Sequence, residues 1–140
     1  IGPFASFFLV LGLIRLRKPG SLLLITGLYS LTCLPIHLLI FLFVITGGVF
    51  AELVCTTVFR GYETRLAQGA GAVLYQMAIW PAAMFFSYLL MPETFKAFPI
   101  WVWPVAEIAI AISALVGTLV AFRVAKELVK AGKLRVEESE

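Results

Sequence analysis

Aspartate and asparagine are absent from these 140 residues, there is a single histidine, and all eight acids are glutamate. Metal clusters, aspartate dyads and N-glycosylation sites therefore lose most of their raw material. Two cysteines, Cys33 and Cys55, stand far apart in apolar surroundings with no CxxC, which suits buried free thiols. Charge is scarce too. Charged residues make up 14% of the chain, where globular domains run near a quarter. There is no HExxH, no GxxxxGK[ST] phosphate loop and no carboxylate pair at helical spacing. Enzymatic readings thus have little to stand on, and the chain by itself cannot hydrolyse ATP. No cofactor and no metal is expected.

What remains is apolar. Hydrophobic residues make up 61% of the chain, and mean hydropathy is +1.02. No core of this size could hide so much apolar surface from water, so the natural solvent is lipid. The net charge of +3 sits in short clusters beside apolar runs, a pattern of membrane orientation rather than nucleic-acid binding. The expected fold is all-α, a polytopic membrane helix bundle forming one domain over residues 1–134, with a solvated tail at 135–140.

Uncharged runs between the charge clusters give five helices: about Gly2 to Leu16, Ser21 to Leu34, Ile36 to Phe59, Leu66 to Leu90 and Ile100 to Lys130. Pro19-Gly20 and Pro35 interrupt the early runs. The second helix is short, and a tilted or broken span, or close pairing with the third, would accommodate it. Arg15, Arg17 and Lys18 follow the first helix, Arg60 and Arg65 separate the third and fourth, and Arg123, Lys126, Lys130, Lys133 and Arg135 end the fifth. If these connections share the cytoplasmic side, only Lys96 lies outside and the C-terminus is cytoplasmic. "IGPFASFFLVLGLI" begins inside an apolar run without the basic start of a signal peptide, so a further helix before Ile1 is expected.

Small residues recur at four-residue spacing: Ala109, Ser113, Gly117, Ala121 and Ala125 in the fifth helix, and Gly47, Ala51 and Cys55 in the third. Such stripes let helix backbones approach closely, either within the bundle or against a partner subunit. Two acids, Glu52 and Glu107, fall inside apolar runs and should face protein or a cavity. For Glu107 a ligand contact and a structural hydrogen bond are both open; for Glu52 a structural or subunit-coupling role is favoured. The half of the bundle opposite the positive clusters holds His37, Gln76, Trp80, Tyr88, Trp101 and Trp103. Trp101 and Trp103 suit interface anchors. Trp80-Pro81 lies mid-helix, where proline frees a carbonyl and such irregularity can line a cavity. An amide at Gln76 one turn from the Trp80 indole could hydrogen-bond and stack a flat heterocycle. The candidate pocket is therefore Gln76, Trp80, Tyr88, Trp101 and Glu107, and the candidate packing or coupling set is Gly47, Ala51, Glu52, Gly117 and Ala121.

"RKPGSLLL", then "ITGGVFAEL", then "FRGYE", and a long small-residue helix ending "AFRVAKELVKAGKL", resemble the substrate-binding S component of energy-coupling factor (ECF) transporters over about Leu11 to Leu134. Within that superfamily the closest likeness is to the branch for hydroxymethylpyrimidine, a thiamine precursor. The resemblance implies a six-helix membrane bundle that takes a vitamin-like solute from outside and works with a transmembrane coupling subunit and two cytoplasmic ATPase subunits. The rival reading is a structural or assembly subunit of a larger membrane complex; a standalone carrier, transporting without ATP, is a third.

Overall fold

A computed structural model describes residues 2–96 and 99–132, and among these the secondary structure is helical throughout. The elements are α1 (Gly2–Leu16), α2 (Ser21–Cys33), α3 (Leu38–Phe59), α4 (Arg65–Leu90), α5 (Pro92–Lys96) and α6 (Val102–Lys130). Three of them, α3, α4 and α6, are long and apolar enough to cross a membrane, while α1 and α2 are shorter apolar helices. The chain is thus a multi-pass membrane protein built as an all-α bundle. Lys133, Arg135 and the expected tail at 135–140 lie outside the described residues.

Helix ends depart from the sequence reading where local chemistry intervenes. The second helix ends as expected at its C-cap Leu34, since Pro35 has no amide to continue it, whereas the third starts at Leu38 rather than Ile36. The amides of Ile36 and His37 instead close back on the Cys33 carbonyl at 3.0 and 3.1 Å. His37 then caps α3, its Nδ1 accepting from the Leu39 amide at 3.1 Å, a satisfied local role for the one imidazole. The last helix starts at Val102 rather than Ile100, and the connection before it contains the unanticipated single turn α5.

α4 is the central helix, packing against α1, α3 and α6; α2 leans on α3, and α1 lies mainly along α6. Small residues make these contacts close. Gly47, Ala51 and Cys55 are all buried on α3, and Gly117, Ala121 and Ala125 on α6. A Cβ on Gly47 would come within 3.3 Å of the Ile79 backbone nitrogen, and one on Gly48 would overlap Thr26 Oγ1. The stripes are therefore packing surfaces within this chain, except toward Ala109, which is exposed.

The connections 17–20 and 60–64 meet at one end of the bundle, where the Tyr62 amide donates to the Arg17 carbonyl at 3.4 Å. The last turns of α6 border the same end, so Arg17, Arg65, Lys126 and Lys130 line one cavity there. The described residues of the three basic clusters thus meet at a single end. The opposite end carries the α2–α3 turn and the connection from α4 to α6.

Candidate functional site

A groove of about 570 Å³ lies between α4 and α6 in the half away from the basic end. Trp80, Pro81, Met84, Phe85 and Tyr88 form its α4 wall, and Trp103, Pro104 and Glu107 its α6 wall. Helical periodicity explains the set. Residues 80, 84 and 88 recur at four-residue spacing, as do 103 and 107, so each group stacks on one face of its helix. α4 continues through Pro81, whose missing amide leaves an α4 carbonyl without its usual partner. Pro104 sits in the first turn of α6, where the ring is tolerated.

The wall is almost wholly apolar, and among the described residues Glu107 is its one carboxyl. Glu107 Oε2 and Trp80 Nε1 are buried without a hydrogen-bond partner among the described residues. An apolar cleft of this size with a few polar groups is the ordinary design of a small-molecule site. Unmet polar atoms of this kind call for an explanation, since leaving them so costs about 1–3 kcal/mol each. Phe85 and Tyr88 are each 59% exposed, so the groove is open along one side.

Of the five residues expected to form a pocket, Trp80, Tyr88 and Glu107 line this groove. Trp101 does not: it precedes α6, 65% exposed, the position of an interface anchor. Gln76 is 8% exposed, with Nε2 unpartnered, and lies outside the groove wall. Trp103, Met84 and Phe85 are wall residues that the sequence reading left out of its pocket. The four-residue spacing from Trp80 and Glu107 was the available signal for Met84 and Trp103.

Glu52, by contrast, is built into the frame. It is 7% exposed, and its carboxylate reaches from α3 to the start of α2. The Gly20 amide donates to Oε1 at 2.6 Å, and the Leu23 amide to Oε2 at 3.2 Å. Gly20, the N-cap of α2, makes no side-chain cap, so Glu52 supplies from another helix what a serine or aspartate would supply locally. The same Oε2 accepts from the Tyr62 hydroxyl at 3.0 Å, and the Tyr62 carbonyl accepts from Gln68 Nε2 at 2.8 Å. Burial first, then the neighbouring Cys55 thiol and Glu52 carboxylate, hold the Tyr62 phenol above its ordinary pKa. Gly20 has φ +89° with nothing near a prospective Cβ, so backbone conformation alone demands glycine there.

This knot joins three of the quoted stretches: "RKPG" through Gly20, "GGVFAE" through Glu52 and "FRGYE" through Tyr62. No protein-family model, curated protein or solved structure matches the chain.

Proposed function

We propose that the chain is the membrane-embedded substrate-binding subunit of an ECF-type importer for a vitamin-like small molecule, a thiamine-related pyrimidine being the first candidate. The observation that carries this reading is the α4–α6 groove with its aromatic wall and two unmatched polar atoms. Trp80, Tyr88 and Trp103 offer faces on which a flat ring stacks. Glu107 would accept from an exocyclic amine or ring N–H, and the Trp80 indole would donate to a ring nitrogen. With the basic end cytoplasmic, the groove sits in the outer half of the membrane, where a solute arriving from outside meets it. The coupling subunit and the two ATPase subunits are separate chains. The motif stretches support the resemblance, and their meeting at Glu52 gives them a shared structural reason that is neutral about substrate.

Titration of the purified protein with hydroxymethylpyrimidine and with thiamine, read by tryptophan fluorescence, tests the proposal. Saturable binding is expected, weakened about tenfold or more in Trp80→Ala and in Glu107→Gln, which corresponds to about 1.4 kcal/mol for each lost contact. No saturable binding overturns the substrate assignment.

The open side of the groove favours a second reading, an assembly subunit whose groove receives a helix of a partner protein. Affinity purification from membranes separates the two. Co-purification of an ATPase pair with a coupling protein supports the importer, and a stable complex lacking them, with no solute binding, supports the scaffold.

A further inference from the structure

The cavity at the basic end, about 510 Å³, is unlike the groove. Four cations reach it from three parts of the chain: Arg17 from the α1–α2 connection, Arg65 from the first turn of α4, and Lys126 and Lys130 from the end of α6. Among the described residues Glu63 is the one acid on its wall. Lys130 also pairs with Glu127 at 3.2 Å, but both side chains are largely exposed, so that pair neutralises little. Arg17 directs its Nε to the Ile14 carbonyl at 3.2 Å, which fixes the base of its guanidinium at the rim. The Gln68 amide at the base is already used by the Tyr62 carbonyl. The remaining wall, Ile14, Phe122, Ala125 and Val129, is apolar.

We propose that this cavity holds the phosphate of an anionic phospholipid. Arginines and lysines lining one cavity at the end of membrane-spanning helices suit a phosphodiester headgroup in charge. The apolar half of the wall decides between a lipid and a free anion. Inorganic phosphate gains nothing from Phe122 and Val129, whereas the glycerol and first methylenes of a lipid are covered by them. Exposed Leu119, two turns from Lys126 on the same face of α6, continues that apolar path for the acyl chains.

Thermal unfolding of the purified chain in neutral detergent provides the test. Adding phosphatidylglycerol is expected to raise Tm by about 3 °C or more, while phosphatidylcholine and inorganic phosphate leave it unchanged. Arg65→Gln/Lys126→Gln is expected to lose the shift, and Arg15→Gln, exposed at the same end but off the cavity wall, to keep it. An equal shift with inorganic phosphate, or with an acidic peptide, overturns the lipid assignment. An equal phosphatidylglycerol shift in the double variant overturns the site. Should the double variant not fold, native mass spectrometry of the wild-type protein decides: preferential retention of phosphatidylglycerol supports the proposal, and equal retention of phosphatidylcholine sinks it.

Discussion

Glu52 illustrates how little of a residue's role its neighbours in sequence disclose. An acid in an apolar run had to face something polar, and that much was legible. Its partners lie at Gly20, Leu23 and Tyr62, none within a helical turn, so no local periodicity could point to them. Removing the carboxylate strands two amides and a buried phenol at once. Glu52→Ala should therefore destabilise the protein by about 3 kcal/mol or more, measured as a lower unfolding midpoint in detergent, with Glu52→Gln milder because one acceptor oxygen survives. The Tyr62 phenol makes the knot sensitive to alkali. Its folded pKa is raised, so its contribution is fully present below the ordinary phenol value of about 10 and is lost as pH climbs through the folded value. Midpoints measured from pH 8 upward should fall above about pH 10, and Tyr62→Phe should flatten that fall. Gly48 is a further residue-scale case. An added methyl there would overlap Thr26 Oγ1, so Gly48→Ala should cost about 1–3 kcal/mol. Part of that loss should return in Gly48→Ala/Thr26→Ala, which deletes the hydroxyl.

At the scale of elements, helix number and approximate limits followed from the spacing of charge clusters, because charges are excluded from the apolar runs and so mark their ends. The errors fell where capping decides. The start of α3 is fixed by the His37 imidazole, and α5 is one turn inside a connection too short to show a period. The small-residue stripes were legible as close-packing surfaces, but their partners were not, since spacing says nothing about which helix approaches. The groove falls between these cases. Trp80, Tyr88 and Glu107 stood out by type, Gln76 was set beside them by spacing alone, and Trp101 by composition. Where the chain turns into α6 leaves Trp101 outside, and Gln76, on the same face of α4 as Trp80, lies one turn further along the helix than the groove wall. Pro81→Ala should restore the missing amide to α4, and if the groove depends on that local irregularity, the fluorescence titration will show weaker solute binding with little change in unfolding midpoint.

For the whole molecule, the two ends differ in kind. The basic end is cross-tied by Glu52, Tyr62 and Gln68, while the opposite end is joined by a turn and a short connection and carries the open groove. Hydrogen exchange should reflect this, with slow amides at the start of α2 and around 60–68 and faster ones at the far ends of α4 and α6. Uniform protection along α4 would contradict it. The cross-tie also has a consequence for biogenesis. The carboxylate that closes the first turn of α2 arrives 29 to 32 residues after the groups it serves. Until α3 follows, the first-turn amides of α2 at the basic end have only water to bond to. The arrival of α3 replaces that water with a carboxylate, so the order of synthesis closes α2 and α3 as a hairpin, and Glu52→Ala should leave that hairpin open to water at its basic end.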